Sequence, residues 1–222
     1  GDLRSRADDT AALCVAQRAA ALLMAGRSAG SSFRVLDPMC GVGTYLFAVR
    51  WALARHGEDA VELVGVDAEA ESLSCARANA HAGAPYGPGA SGHLGQRPEF
   101  LLSSSRRLPF MDNSVDLIVA DPPWGARHAN HVYVKNNLYS WAKEWSRVLK
   151  PGGVALVVTI CSGHFERQVM SRLAKEGRLE LEDCTQFDNK GWHQCRFYVA
   201  RKPLQPRPAP APPADPAEAS QT

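Results

Sequence analysis

Short apolar runs alternate with amphipathic segments along most of this chain. The apolar runs are rich in Val, Leu and Ile and predict strands at 33–37, 61–66, 99–102, 116–120 and 154–160. The spacing of apolar residues between them predicts helices at 9–24, 44–55 and 69–81. A further helix is indicated by one apolar face, formed by Leu138, Trp141, Ala142, Trp145, Val148 and Leu149. Lys-Pro-Gly-Gly at 150–153 is expected to end it.

The last part of the pattern changes from alternation to two adjacent strands. Phe165, Val169 and Leu173 indicate one more helix, and strands follow near 179–187 and 194–200. Strand and helix in alternation place successive strands parallel, so we expect a Rossmann-like α/β fold with helices on both faces of the sheet. The sheet should have seven mostly parallel strands, with the two final strands forming an antiparallel hairpin at one edge.

Two segments do not fit this pattern. Residues 82–98 are rich in Gly and Pro and are too long for a compact connection, so we expect a mobile surface insertion. Residues 203–222 are rich in Pro and Ala with almost no large apolar residue, which predicts a disordered tail. The expected organisation is therefore one domain over residues 1–202, followed by that tail.

Composition narrows the class of protein. Hydrophobic residues make up 45% of the 222 residues, and no apolar run approaches the roughly 20 residues that span a bilayer, so we expect no membrane partner. The six cysteines are scattered and the seven histidines are not clustered, which predicts no metal and a reducing compartment, cytoplasmic or nuclear. A net charge of +2 is too small for a dedicated nucleic-acid binder. A nucleic-acid substrate would need a local patch, a further domain or a partner.

The turn after the first predicted strand has the features of a nucleotide-like ligand site. Gly41 and Gly43 let the chain turn tightly between strand and helix, at the positive end of that helix. Asp67 ends the second predicted strand, where a carboxylate accepts hydrogen bonds from a ribose diol. A capped helix start would explain either feature alone, but the two together favour a ligand site.

The choice between NAD and S-adenosylmethionine depends on spacing and charge. The NAD fingerprint requires a third glycine where this chain has Leu46. Asp37 beside the turn would repel a pyrophosphate but would suit a cationic sulfonium and its ammonium group. Both arguments favour S-adenosylmethionine.

The fourth predicted strand ends in the stiff sequence Asp-Pro-Pro-Trp-Gly. The exocyclic amine of a base is a poor nucleophile because its lone pair is delocalised into the ring. Two acceptors, the Asp121 carboxylate and the Pro122 carbonyl, would favour the geometry in which the amine can attack a methyl group. Trp124 could stack on the flipped base, a contact worth roughly 1–3 kcal/mol. A rigid turn with a packing tryptophan is the alternative explanation.

Three segments together resemble one enzyme family. Asp-Pro-Met-Cys-Gly-Val-Gly-Thr at 37–44, Asp-Pro-Pro-Trp-Gly-Ala-Arg at 121–127 and the helix segment at 136–153 are similar to the catalytic domain of the THUMP-associated RNA guanine methyltransferases. The resemblance implies a class I methyltransferase fold and methylation of the 2-amino group of guanine in tRNA or another small structured RNA, such as small nuclear RNA.

The resemblance also implies roles for individual residues. Asp121, Pro122 and Trp124 would present the guanine amine, and Trp124 and Arg127 would contact the RNA. The cofactor would be held by Asp37, Pro38, Cys40, Gly41, Gly43, Thr44 and Asp67. Where the family usually has an Asp after the third strand, this chain has Ser103 and Ser104, and we assign Ser104 to the cofactor's adenine.

The family further implies partners that the sequence does not itself contain. No THUMP domain, which grips tRNA, is recognisable here, so we expect a catalytic fragment or a protein that finds RNA in another way. A small zinc-binding activator subunit is an expected partner. Two alternatives stay open: an RNA adenine 6-amino methyltransferase, and a non-catalytic subunit that keeps the fold.

Overall fold

The computed structural model describes residues 9–25, 32–58, 61–82, 96–123, 131–160, 162–188 and 194–204. Most of the expected insertion, at 83–95, and most of the expected tail, at 205–222, lie outside these ranges.

Seven strands form one sheet in the order β3-β2-β1-β4-β5-β7-β6. The strands are β1 (Phe33–Asp37), β2 (Val61–Asp67), β3 (Glu99–Leu102), β4 (Val115–Ala120), β5 (Leu149–Thr159), β6 (Glu180–Asp188) and β7 (Gln194–Arg201). The first five run parallel to one another, and β7 pairs antiparallel with both β5 and β6. The predicted parallel sheet with an antiparallel hairpin at one edge is confirmed.

Helices cover both faces of the sheet. They are α1 (Asp9–Ala25), α2 (Thr44–Ala54), α3 (Ala70–Ala82), α4 (His131–Val148), α5 (Ser162–His164), a π-helical segment (Phe165–Met170) and α6 (Ser171–Lys175). One buried cluster joins α1, α2 and α3 to one face, and a second joins α4, the π-helical segment and α6 to the other. Because β1 and β4 are covered by both layers, buried residues predominate in them, and only Arg34 and Asp116 are half-buried.

The segment Lys-Pro-Gly-Gly at 150–153 behaves differently from the prediction. Helix α4 ends at Val148, and β5 already begins at Leu149, which pairs with Val115 of β4. Main-chain hydrogen bonds join Gly152 N to the Lys202 carbonyl and Lys202 N to the Gly153 carbonyl, at 2.9 Å each. The two glycines therefore lie within the sheet, where the chain passes an irregularity in the β4–β5 pairing.

The sheet topology fixes where a ligand can bind. The chain goes from β1 outward through β2 to β3, and then returns to place β4 on the other side of β1. The carboxyl ends of parallel strands at such a switch point leave a crevice between the connecting loops. The tips of β1, β2 and β4 all meet there.

Candidate functional site

Three carboxylates lie together at the carboxyl ends of neighbouring strands. Asp37 ends β1, Asp67 ends β2, and Asp121 directly follows β4. Asp37 is 2% exposed, and its Oδ1 accepts a hydrogen bond of 3.1 Å from the Met39 N–H. Burial raises the pKa of Asp37 well above its ordinary value. The Met39 hydrogen bond lowers this pKa, whereas the charges of Asp121 and Asp67 raise it further. This edge of the sheet is therefore electrostatically favourable for a cation.

Asp67 joins the tip of β2 to the glycine turn. Its Oδ2 accepts a 2.8 Å hydrogen bond from the Gly41 N–H, and its Oδ1 accepts one of 2.9 Å from the Glu69 N–H. The sequence predicted only a ribose acceptor here. A carboxylate has about four lone-pair sites, so Asp67 can hold the turn and still accept bonds from a ligand.

The two glycines of the turn have different surroundings. Gly41 has φ 50° and Gly43 has φ 88°, and residues with a side chain rarely adopt these positive φ values. A Cβ on Gly43 would lie 2.7 Å from a ring carbon of Phe47, whereas a Cβ on Gly41 would meet no atom within 4 Å. Gly43 is thus needed for packing, and Gly41 faces open space beside the carboxylates.

Cys40 lines this turn from the inside of the domain. Its N–H donates a 2.9 Å hydrogen bond to the Val66 carbonyl, and its side chain is 6% exposed. Gly65 gives it room, because a Cβ there would lie 2.8 Å from the Cys40 Sγ. Burial and the nearby charges of Asp37 and Asp67 raise the pKa of the Cys40 thiol. The thiol stays protonated, which supports a lining role and not that of a nucleophile.

Helix α3 supports the same turn from outside the sheet. Asn79 Nδ2 donates a hydrogen bond to the Val42 carbonyl at 3.2 Å. Pro38 is buried between the strand tip and the turn, and Thr44 is half-buried as the first residue of α2. Six of the predicted cofactor residues therefore lie in one continuous segment, 37–44, whose backbone is held from two sides.

The two serines that follow β3 differ in their relation to this site. Ser103 directly follows β3, and its N–H donates a 2.9 Å bond to the Asp67 carbonyl. Ser104 is exposed, and its hydroxyl accepts a 3.3 Å hydrogen bond from the Arg106 N–H. The structure brings Ser103 to the tip of β2, while the orientation of Ser104 is set by its own turn.

Asp121 has a neighbour that the sequence analysis missed. Tyr45, in the first turn of α2, is 4% exposed, and its phenol makes a side-chain hydrogen bond with Asp121. Burial raises the pKa of Tyr45, as do the charges of Asp121 and Asp37. A tyrosine immediately after a ligand-type glycine turn was the available signal. Its partner, which directly follows β4, could not be read from the sequence.

Only the first three residues after β4, 121–123, belong to the described range at this strand tip. Pro122 is buried and Pro123 is half-buried, whereas Trp124 and Arg127 lie outside the described residues. Within the described ranges, no group of three His, Cys, Asp or Glu side chains could hold a metal ion. No described helix is both long and apolar enough to cross a membrane.

Comparison with known proteins identifies the family to which these features correspond. The family model for the RMKL-like methyltransferase domain matches residues 4–182. The U6 snRNA (guanine-N(2))-methyltransferase THUMPD2 of Bos taurus is 33% identical over 150 residues, which are 67% of this chain and 26% of that protein. The Homo sapiens protein of that name is 32% identical over 133 residues, 60% of this chain and 23% of its own length. The chain thus spans about a quarter of the length of these relatives.

Solved structures share the fold. TrmN from Thermus thermophilus has a TM-score of 0.62 and 24% sequence identity, covering 90% of this chain and 50% of that one. A putative class I S-adenosylmethionine-dependent methyltransferase from Listeria monocytogenes also has a TM-score of 0.62, with 18% identity over 90% of this chain and 62% of that one. At these identities the structural likeness establishes the class I methyltransferase fold.

Proposed function

Because this chain belongs to the RMKL-like methyltransferase domain family, we propose that it transfers a methyl group from S-adenosylmethionine to the 2-amino group of a guanine in RNA. The observation that carries the proposal is the acidic edge, where Asp37, Asp67 and Asp121 meet at the strand tips. The sequence resemblance to THUMP-associated guanine methyltransferases is confirmed at the level of the family. The relatives named as U6 snRNA (guanine-N(2))-methyltransferases support the choice of base and of amine.

The residues of the acidic edge fit S-adenosylmethionine. This cofactor supplies a methyl group on a positively charged sulfur, and it also carries an ammonium group. A buried Asp37 whose pKa is raised by burial and by two further carboxylates would be relieved by such a cation. The space beside Gly41 admits a ligand close to the backbone. The proposed contacts are Asp37, Pro38, Cys40, Gly41, Gly43, Thr44, Asp67 and Ser104.

Asp121 is proposed to hold and activate the target amine. Its carboxylate and the Pro122 carbonyl would each accept an N–H of the guanine 2-amino group and turn its lone pair toward the methyl group. Pro122 and Pro123 lack N–H groups and fix the backbone, so the tip offers acceptors in a stiff arrangement. The role of these residues is positioning and electrostatic stabilisation of the developing positive amine.

RNA binding is proposed to need more than this domain. Trp124 would stack on the flipped guanine, and Arg127 would contact the nucleic acid near the entrance to the site. The net charge of +2 provides little general attraction for RNA. A THUMP-type domain or another RNA-binding element would supply the rest, with tRNA or small nuclear RNA as the substrate.

A small zinc-binding activator protein is the proposed partner. Strand β3 is an edge of the described sheet, and Leu101 and Leu102 on it are 37% and 61% exposed. An exposed edge strand with apolar side chains is suited to pairing with a strand from another chain.

Five cysteines of the described residues are free thiols, which supports a reducing, cytoplasmic or nuclear, setting.

Product analysis tests the proposed reaction. The chain is incubated with labelled S-adenosylmethionine and U6 snRNA or total tRNA, and the digested nucleosides are separated by mass spectrometry. We expect N2-methylguanosine from the wild-type chain and a loss of at least 100-fold for Asp121→Ala, with cofactor affinity largely kept, because the carboxylate acts on the amine. N6-methyladenosine as the product would move the target to adenine, and tight cofactor binding without turnover, with the activator present, would indicate a non-catalytic subunit.

A further inference from the structure

Tyr45 places a polar group in a buried part of the acidic edge. Its side chain is 4% exposed and belongs to the apolar cluster between α2 and the sheet. A buried phenol requires a hydrogen-bond partner, since an unpaired one loses its bonds to water without replacement. The partner is the Asp121 side chain, on a different element of the fold.

The geometry points to Tyr45 as a positioning residue, whose phenol donates a hydrogen bond to the Asp121 carboxylate and holds it for the substrate amine. This inference rests on the role proposed for Asp121. Tyr45 is buried in that apolar cluster and is therefore not expected to touch substrate or cofactor itself. It is fixed by the first turn of α2, directly after the glycine turn.

The surroundings explain why Asp121 would need such a donor. Asp37 from β1 lies close to Asp121, and Asp67 from β2 adds a further carboxylate beside Asp37. The thiol of Cys195 from β7 also acts on the phenol and raises the pKa of Tyr45. Repulsion among carboxylates favours protonation or displacement of one of them. A donor on α2 stabilises the charged form of Asp121 and orients it, which leaves acceptor capacity for the amine.

Tyr45 could alternatively serve only to pack the apolar cluster. One substitution distinguishes this packing role from the positioning of Asp121. Tyr45→Phe keeps the ring in the apolar cluster and removes only the hydroxyl. Tyr198→Phe is the matched control: Tyr198 is also buried, and its phenol donates a 2.7 Å bond to Glu166 Oε1 on the π-helical segment. Both variants lose one phenol–carboxylate bond, but only Tyr45→Phe loses the bond to Asp121.

Two measurements test the proposed role of Tyr45. Single-turnover methyl transfer to U6 snRNA as a function of pH gives the rate and the position of its acid limb. Carboxylate NMR of the ¹³C-Asp-labelled chain, with the Asp121 signal assigned from Asp121→Asn, gives the titration of Asp121 directly and needs no activity. The signals of Asp37 and Asp67 are followed in the same spectra, because both face the same space.

For Tyr45→Phe we expect the rate to fall by roughly tenfold or more, which is the scale for one hydrogen bond to a charged group, while the affinity for S-adenosylmethionine stays near that of the wild type. Loss of the donor should move the titration of Asp121 and the acid limb of the rate to higher pH. Tyr198→Phe should change neither.

An unchanged titration of Asp121 in Tyr45→Phe would overturn the inference, as would a shifted titration with an unchanged rate. If the wild-type chain methylates no RNA, the proposed function fails. A shifted NMR titration would then still establish the contact between Tyr45 and Asp121, without a role in methyl transfer.

Discussion

Asp37 is a buried carboxylate whose surroundings oppose its charge. Its raised pKa means that the folded protein binds this proton more tightly than the unfolded chain does. The corresponding contribution to stability is present below the unfolded pKa, near 4, and is lost as the pH rises through the folded value. At neutral pH without ligand, Asp37 therefore weakens the fold, a cost consistent with a site that is completed by a cation.

Asp37→Asn should raise the melting temperature of the ligand-free protein at pH 7–8 and weaken S-adenosylmethionine binding. The amide oxygen can still accept the Met39 N–H, so the turn is kept while the buried charge is removed. An increase of a few degrees is expected, since 1 kcal/mol corresponds to roughly 2–4 °C in a domain of this size. The increase should disappear below about pH 4, which melting curves across pH would show.

The control for this variant is Asp116→Asn. Asp116 accepts 2.8 Å hydrogen bonds from Lys150 Nζ and one of 2.9 Å from the Arg34 N–H, so its replacement should lower the melting temperature at neutral pH. A lower melting temperature for ligand-free Asp37→Asn at pH 8 would contradict the electrostatic description of the acidic edge.

At the same scale, the sequence predicted residue types better than it predicted partners. Asp67 was recognised because acids at the end of the second strand accept ribose hydroxyls, yet its bonds to the Gly41 and Glu69 N–H groups depend on the path of the folded backbone. Tyr45 was missed because its partner, Asp121, follows a strand that comes much later in the chain. Contacts between distant segments are not contained in local spacing.

At the scale of elements, periodicity was sufficient for most of the sheet and failed where the backbone is irregular. The strand alternation predicted a mostly parallel sheet and the terminal hairpin, whereas the order of the strands comes from the structure. Lys-Pro-Gly-Gly reads as a helix terminator, but main-chain bonds to Lys202 place its glycines in the sheet. The π-helical segment at Phe165–Met170 has the same apolar face as an α-helix, so its i→i+5 bonding was invisible to the pattern.

The glycine turn provides a prediction at this scale. Gly43→Ala should destabilise the protein by roughly 2–4 kcal/mol, because positive φ costs about 1–2 kcal/mol and the new Cβ clashes with Phe47. Gly41→Ala should cost only about 1 kcal/mol, since nothing lies within 4 Å of its Cβ, but that methyl group would occupy ligand space. Denaturant unfolding should therefore rank Gly43→Ala as less stable, while calorimetry should show weakened cofactor binding by folded Gly41→Ala. Equal cofactor affinity for Gly41→Ala and the wild type would remove Gly41 from the site.

At the scale of the whole molecule, the two edges of the described sheet differ in their position relative to the acidic edge. Strand β3 is followed directly by Ser103, whose N–H bonds to the Asp67 carbonyl. Strand β6 lies at the opposite edge, beyond β7 and the antiparallel hairpin. A partner that pairs with β3 would therefore stabilise the segment after β3, next to the proposed cofactor residues. A partner that pairs with β6 would bind far from them.

The proposed activator should bind at β3, and Leu102→Lys tests this. A charge at this 61% exposed position should reduce capture of the small zinc-binding protein at least tenfold, because the contact would desolvate the ammonium group. Leu181→Lys on β6, where the side chain is 41% exposed, is the matched control and should bind normally.

With the wild-type chain, the activator should raise the melting temperature, since a ligand that binds only the folded state stabilises it. Co-purification from the native cell, followed by melting curves and methyl transfer with and without the activator, provides the measurement. Equal capture by both variants would place the partner elsewhere, and full activity of the chain alone would make the activator unnecessary.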